Sequence, residues 1–96
     1  MRRRPIFKFR LYIAENSQNS RQAVSNLNAI CAEHLQDQHE IEVIDVFKQP
    51  MRALADAVYL TPTLIKIGPA PTQRIVGNLC QRQTVLNALG LEAMVA

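Results

Sequence analysis

Residues 61–67 read TPTLIKI, and the prediction of the fold depends on this stretch. Its last four residues form the apolar run of a short buried strand, in which Lys66 is the only charge. Pro62 has no backbone N–H to donate to a sheet ladder, so it can stand only at the beginning of that strand. An X-Pro bond is also the one place where a cis peptide costs little free energy. The stretch therefore predicts a strand with Pro62 at its entry, either as an ordinary trans proline, which is the commoner case, or as a structural cis-proline.

Two strands and a long helix are predicted before this stretch. Residues 7–13 alternate apolar and polar side chains, which is typical of a strand with one apolar face. Residues 41–46, IEVIDV, are rich in β-branched side chains and predict a second strand. Between them, a helix is predicted to run to about Leu35, with Asn19 or Ser20 as its N-cap. Its apolar stripe comprises Ala23, Val24, Leu27, Ile30, Cys31 and Leu35.

A short helix is predicted between the second strand and the proline stretch. Pro50 suits the first turn of a helix, because the N–H groups of that turn have no intrahelical partner in any case. Leu54, Ala55 and Val58 share one face of this helix, and we expect that face to pack against the sheet.

A hairpin and a last helix are predicted after the proline stretch. The strand at 64–67 is followed by the turn GPAP at 68–71 and by a fourth strand, QRIVG, at 73–77. Asn78 is the candidate N-cap of a helix over residues 79–89. The apolar face of that helix and its stop are predicted at Val85, Leu86, Leu89 and Gly90.

The order of these elements, β-α-β-α-β-β-α, predicts the fold class. A helix between the first two strands makes them a parallel pair, whereas the short link of the hairpin makes the last two antiparallel. We therefore expect an α/β fold with a single mixed four-stranded sheet flanked by helices. The length allows one domain, residues 1–96, in which we expect 1–5 to be disordered and 91–96 to be frayed or at an interface.

Charge and hydropathy exclude several classes of protein. The formal net charge is +3, and the arginines at residues 2–4 account for it, so the remainder of the chain is balanced. A basic tip with Phe7 and Phe9 behind it suggests nucleic-acid binding, but both aromatic residues lie on the apolar face of the first strand and are expected in the core. No stretch has the length of a membrane span. We expect a cytoplasmic protein that binds neither nucleic acid nor membrane.

Cysteine and histidine residues give little support for chemistry. Cys31 lies in the apolar stripe of the long helix, where cysteine packs as a small hydrophobe. Cys80 follows the predicted cap of the last helix and is the more reactive candidate, although an inert thiol is the favoured interpretation. The chain has no CxxC pair, and His34 and His39 lack partners at metal-ligand spacing and are expected to face solvent. No cofactor, metal or catalytic residue is therefore predicted.

The motifs carry a resemblance to known families. The predicted element order, with PTL at the start of the third strand, resembles thioredoxin, in which that proline is cis. A more specific resemblance, to the circadian clock protein KaiB family, runs from about Lys8 to Leu89. The segments that carry it are LYIAENSQNS at 11–20, VIDVFKQP at 43–50, TPTLIKI at 61–67 and RIVGNL at 74–79.

Membership of this family implies a function without catalysis. The place of the thioredoxin CxxC motif is taken by residues 16–19, NSQN, whose amides and hydroxyl cannot perform thiol exchange. The resemblance implies binding to KaiC, a hexameric ring ATPase of the RecA type, whose phosphorylation cycle the family modulates. It also implies a sensor kinase that competes for the same ATPase, and it is compatible with a homo-oligomer.

The resemblance also implies candidate site residues. Lys66 and Arg74 match the basic positions with which the family faces its partner, and we expect both at the surface. The arginine usual at position 22 stands at Arg21 here, and position 42, commonly basic, is Glu42. Because reversal of a charge weakens binding where like charges then meet, a different partner from the usual one is a second interpretation.

The family's C-terminal half adopts a second arrangement, associated with homotetramers, and three positions bear on the choice between the two. Ala88 stands where the family often has glycine, and alanine favours a helix by about 1 kcal/mol. Asn78 stands where the family usually has aspartate, and Gly90 is the predicted helix stop. We expect the thioredoxin-like arrangement. The alternatives to a clock regulator are a clock-independent thioredoxin-like adapter and a redox protein that uses Cys80.

Overall fold

A computed structural model describes residues 6–91 of the chain. Three helices and four strands follow the order expected from the sequence. They are β1 (Phe7–Ile13), α1 (Gln18–His34), β2 (His39–Asp45), α2 (Pro50–Ala55), β3 (Thr63–Gly68), β4 (Gln73–Val76) and α3 (Arg82–Leu89). The predicted β-α-β-α-β-β-α order is confirmed, with α3 rather than a rearranged C-terminal half. No helix within the described residues is long and apolar enough to cross a membrane.

The four strands form one mixed sheet in the order β2-β1-β3-β4. β1 pairs with β2 in parallel, while the pairs β1–β3 and β3–β4 are antiparallel. Both pairings predicted from the sequence, the crossover and the hairpin, are therefore confirmed. β2 begins two residues earlier than expected, at His39 instead of residue 41.

One face of the sheet is covered by α1 and α3 and holds the larger core. Phe9 and Leu11 of β1 and Leu64 of β3 point into it, because alternate residues of a strand face the same side. The helices contribute the buried residues Ala23, Leu27, Ile30, Cys31, Val85, Leu86 and Leu89. The apolar stripes predicted for α1 and α3 are confirmed, with Val24 only partly buried. Phe7 and Phe9 are also buried here, as expected.

Within residues 6–91, the opposite face is covered by α2 alone, which has six residues. Its smaller core consists of Tyr12, Ile44 and Ile65 from the sheet with Ala53 and Val58 from the α2 segment. The face predicted for this helix was partly wrong, since Leu54 is 60% exposed and Ala55 is exposed. The helix is so short that Ala53 and Val58 suffice to anchor it, and Leu54 lies on its outer side.

Both predicted helix caps were displaced. Ser17, not Asn19 or Ser20, caps α1, and its hydroxyl accepts from the backbone N–H of Ser20. The last helix begins at Arg82 after the N-cap residue Gln81, so Asn78 lies outside it and residues 79–81 are not helical. The Ser20 hydroxyl instead accepts from the Ala14 N–H at 3.0 Å, and the Asn78 side chain donates to Gln22 Oε1.

The predicted stop at Gly90 is confirmed. Gly90 is the C-cap of α3 with φ 73°, a left-handed conformation that glycine adopts without a steric penalty. Leu91 then packs fully buried in the larger core, so it is not frayed. The expectations for residues 1–5 and 92–96, including the basic tip, lie outside the described residues.

The Thr61–Pro62 peptide bond is cis, as predicted for the entry to β3. Pro62 is buried, and its carbonyl oxygen accepts a hydrogen bond of 2.9 Å from the N–H of Gly77. The bonds before Pro69 and Pro71, in the β3–β4 turn, are also cis, and the sequence pattern did not predict them.

The expectation that both histidines face solvent was wrong. The side chain of His34 is only 15% exposed. His39 is partly buried, and its Nδ1 lies 2.8 Å from the carbonyl oxygen of Leu35. Both residues thus lie at the junction of α1 and β2, where the chain turns back into the sheet.

Candidate partner-binding surface

Four of the connections between strands and helices meet at one end of the sheet. Ile13 of β1 is in register with Asp45 of β2, Tyr12 with Thr63 of β3, and Thr63 with Val76 of β4. The β1–α1, β2–α2, α2–β3 and β4–α3 connections therefore meet at this end. In open α/β sheets, binding sites form outside the carboxyl ends of the parallel strands.

The segment around α2 exposes large apolar side chains at this end. Phe47 precedes the helix, Met51 and Leu54 lie three residues apart on its outer side, and Tyr59 and Leu60 follow it. These five residues are between 60% and 80% exposed. We refer to these five residues as the apolar surface. Scattered exposed hydrophobic residues are ordinary, whereas these five lie within residues 47–60.

Beneath the apolar surface, a polar cluster joins α2 to β1. The hydroxyl of the fully buried Tyr12 makes a short hydrogen bond to the Asp56 carboxylate, and Arg10 Nη1 lies 3.1 Å from Asp56 Oδ2. Burial, and then the hydrogen bond to Asp56, raises the pKa of Tyr12 to about 12. The Tyr12 hydroxyl, and then the Arg10 guanidinium, lowers the pKa of Asp56. Asp56 is therefore a carboxylate at neutral pH, held by two donors.

Arg74 of β4 binds the C-terminal end of α2. Its Nη2 donates to the carbonyl oxygen of Asp56 at 2.5 Å and its Nη1 to that of Ala57 at 3.1 Å. A guanidinium at this position stabilises the negative end of the helix dipole. The residue expected to face a partner is thus also part of the internal support of α2.

Glu42 of β2 is not a free acidic residue. Arg52 of α2 binds its carboxylate through two nitrogens, at 2.6 Å and 2.8 Å, and Arg10 Nε lies 3.8 Å away. The hydrogen bond to Arg52 lowers the pKa of Glu42 and raises that of Arg52. The charge at position 42, reversed relative to the resembling family, is therefore compensated within the chain.

Lys66 lies where the sequence analysis did not expect it. It is only 4% exposed, its side chain points to the larger core face together with Leu64, and its Nζ lies 5.7 Å from the centre of the Phe7 ring. Arg74 points to the opposite face, in register with Ile65. The two basic residues therefore do not form one surface, because alternation along paired strands separates them.

Arg21 belongs to α1, and Asn78 lies beside that helix. Arg21 is exposed, and its Nη1 donates to the carbonyl of Asn16 at 3.0 Å. The Asn78 side chain donates to Gln22 Oε1 at 3.0 Å, and its backbone carbonyl accepts from the side chain of Asn26 at 2.8 Å. Asn78 thus ties the β4–α3 connection to α1. No sequence pattern for helix capping contains this information.

Residues 6–91 contain two cysteines, which lie in different surroundings. Cys31 and Cys80 are both free, and burial raises the pKa of the Cys31 thiol to about 11. Cys80 is exposed, and its N–H donates to Asn78 Oδ1 at 3.1 Å. Within the same residues, no three His, Cys, Asp or Glu side chains are placed to hold a metal ion.

Sequence comparisons identify relatives over most of the chain. A family model described as the KaiB domain matches residues 10–91. The circadian clock protein KaiB3 of Synechocystis sp. is 49% identical over 83 residues, which are 86% of this chain and 79% of that protein. The circadian clock oscillator protein KaiB of Prochlorococcus marinus is 41% identical over 91 residues, 95% of this chain and 87% of that protein.

Structural comparisons agree with a thioredoxin-like fold. The solution structure of the N-terminal domain of Synechococcus elongatus SasA has a TM-score of 0.73 and 22% identity, covering 94% of this chain and 89% of that chain. The crystal structure of chloroplastic thioredoxin z has a TM-score of 0.76 and 19% identity, covering 94% and 81%. At these identities, the likeness concerns the fold.

Proposed function

The chain belongs to the KaiB family, and we propose that it is a non-catalytic regulator that binds a KaiC-like ring ATPase of the RecA type. In this proposal it acts in the cytoplasm and alters the ATPase or kinase cycle of its partner by protein–protein contact. The relatives carry the names of circadian clock proteins, and a clock or clock-like signalling role is part of the proposal.

The observation that carries the proposal is the apolar surface. Phe47, Met51, Leu54, Tyr59 and Leu60 are exposed in a domain whose cores are otherwise well filled. Interface centres are enriched in aromatic residues and methionine, and a few such residues supply most of the binding free energy. The segment that exposes these residues lies at the end of the sheet where the β1–α1, β2–α2, α2–β3 and β4–α3 connections meet. A large partner can reach this end of a thioredoxin-like domain.

The arginines have different parts in this proposal. Arg21 lies on exposed α1 and is a candidate for direct contact with the ATPase at the rim of the interface. Arg74 contributes to binding from its place beside α2, where its guanidinium donates to the carbonyl oxygens at the end of that helix. Lys66 is the least accessible of the three candidates, because only 4% of the residue is exposed.

Binding to the ring ATPase tests the proposal. We expect a measurable Kd for the wild-type chain by biolayer interferometry, and a loss of at least tenfold for Met51→Ser with Leu54→Ser, because both would be truncated at the interface centre. The matched control is Val43→Ser with Ile67→Ser, two exposed apolar residues outside the α2 segment. Binding unaffected by the α2 pair, or weakened equally by the control pair, would show that the apolar surface is not the contact.

A capture experiment separates a clock regulator from a clock-independent adapter. The wild-type chain and the Met51→Ser, Leu54→Ser variant are used as baits in extract of the native cell, and bound proteins are identified by mass spectrometry. We expect a KaiC-like ATPase to be enriched on the wild type relative to the variant. Enrichment of a different protein class, with no ring ATPase, would contradict the proposed partner.

A further inference from the structure

The apolar anchorage of α2 is small. Only Ala53 and Val58 of its segment are buried against the sheet, in a core of five buried residues. An alanine and a valine bury little apolar area, so hydrophobic burial alone restrains the orientation of so short a helix weakly. Something else must determine the direction in which the apolar surface points.

Polar side chains from three strands hold the helix in place. β1 supplies Arg10 and Tyr12, which bind the Asp56 carboxylate; β2 supplies Glu42, which binds Arg52; and β4 supplies Arg74. Three of these side chains, Arg10, Tyr12 and Arg74, bind the C-terminal end of α2. We call this set of contacts the clasp.

Asp56 occupies a position that local preferences disfavour. It is the C-cap of α2, where a negative charge opposes the helix dipole. The next residue, Ala57, has φ 54°, and helix capping accounts for this conformation, because the Ala57 N–H donates to Leu54 O and the Val58 N–H to Ala53 O, as in a Schellman motif. Capping does not account for the negative charge of Asp56. That charge is explained if the strands hold the C-terminal end of α2, since the Asp56 carboxylate then receives Tyr12 and Arg10.

From this geometry we infer that Asp56 is a positioning residue for the partner-binding surface: through Tyr12 and Arg10 it sets the orientation of α2 and thereby of Met51 and Leu54. The inference rests on the proposed function for its consequence in binding. The Asp56 side chain is 24% exposed and its carboxylate is bound by two donors, so in this inference it positions α2 instead of contacting the partner. Loss of the clasp therefore loosens the presentation of the apolar surface while the larger core, on the other face of the sheet, remains intact.

The test compares two acid-to-amide variants. Asp56→Asn removes the charge that Arg10 and Tyr12 bind. Glu33→Gln is the matched control, because Glu33 joins α1 to Arg82 in an ion pair on the other face. Tyr12→Phe is the second test variant, since it removes one donor and keeps the buried ring. Amide hydrogen exchange is measured for residues 53–60 and for α1. Association and dissociation rates are measured with the ring ATPase.

We expect exchange of residues 53–60 to accelerate at least tenfold in Asp56→Asn and less in Tyr12→Phe, with exchange in α1 unchanged. We expect dissociation from the ATPase to accelerate at least tenfold, with the association rate within about twofold of wild type. General destabilisation would instead accelerate exchange in α1 as well. Glu33→Gln should change neither measurement.

Unchanged exchange at residues 53–60 would overturn the inference, as would accelerated exchange with an unchanged dissociation rate. If the wild-type chain does not bind the ATPase, the proposed function fails, and the inference is judged by the position of α2 alone. In that case, nuclear Overhauser contacts between the Val58 methyls and the Tyr12 ring decide: their loss in Asp56→Asn supports the clasp, and their retention overturns it.

Discussion

The two faces of the sheet are built in different ways. The face covered by α1 and α3 is filled almost entirely with apolar side chains, including Leu11, Leu27 and Leu89. The face covered by α2 has a core of five buried residues and is held in addition by the Tyr12–Asp56 contact and neighbouring ion pairs. Apolar burial is non-directional and supplies stability, whereas hydrogen bonds and ion pairs fix orientation.

The two faces therefore have different roles. The larger core keeps the domain folded, and the α2 face presents exposed apolar residues in one orientation to a partner. A short helix with a small core can present Met51 and Leu54 outward without exposing the main core. Four predictions test the comparison, in order of decreasing effect on stability.

Truncation of the larger core should have the largest effect. Leu27→Ala removes a fully buried side chain between α1 and the sheet, and we expect the free energy of unfolding to fall by about 3 kcal/mol. Val58→Ala, on the α2 face, removes less buried volume and should lower it by about 1 kcal/mol. Urea denaturation followed by circular dichroism measures both. Equal losses would contradict the contrast between the two cores.

Alkaline titration should weaken both faces through different residues. The folded pKa of Tyr12 is raised to about 12, so its contribution is fully present below the unfolded pKa of about 10 and is lost between about pH 10 and 12. A difference of about two pKa units corresponds to a loss of at most about 2.7 kcal/mol. Cys31, with a pKa raised to about 11, has the same sign on the other face. Unfolding measured against pH should show a shallower alkaline slope in Tyr12→Phe; an unaltered slope would contradict the buried hydroxyl.

Glycine substitutions should have opposite signs on the two faces. Ala57 has φ 54° and is exposed, so Ala57→Gly relieves an unfavourable conformation and should stabilise the domain by about 1 kcal/mol. Leu79 has φ 64° but is buried in the larger core. Leu79→Gly relieves its backbone in the same way, yet the loss of packing dominates and should destabilise. Thermal unfolding of the two variants checks the signs.

Substitutions on the apolar surface should have the smallest effect on stability. Met51→Ser with Leu54→Ser removes side chains of residues that are 74% and 60% exposed, so each change should alter the free energy of unfolding by less than about 0.5 kcal/mol. Denaturant midpoints of this variant and the wild type provide the measurement. A large destabilisation would show that these side chains belong to the core of the α2 face.

The sequence predicted the larger face better than the α2 face. Period-two alternation at residues 7–13 and the stripe through Leu27 and Ile30 were sufficient for β1 and α1, because long amphipathic elements repeat their signal. The six residues of α2 are too few for such a repeat, and Leu54 was assigned to the wrong side. Asn78 was assigned to a helix cap because its residue type allows capping, although in the fold it binds Gln22 and Asn26.

The candidate site shows the same limit. Family resemblance selected Lys66, Arg74 and Arg21, and the direct role of these residues in binding stays a prediction. The exposure of Phe47, Met51 and Tyr59 was not anticipated, since an apolar residue in a sequence carries no mark of the side on which it lies. A signal was nevertheless available: the α2 segment contains more large apolar residues than a helix of that length can bury.

By itself, the sequence determined the element order, the fold class, the entry proline of β3 and the absence of a CxxC pair, because each depends on local residue types or on periodicity. Tertiary structure alone decided that Lys66 and Arg74 point to opposite faces, that Glu42 is neutralised by Arg52, and that Asp56 receives Tyr12 and Arg10. These relations join residues up to 46 positions apart. They depend on strand register and on the face to which each side chain points, and a shift of one residue in register would reverse every one of those faces.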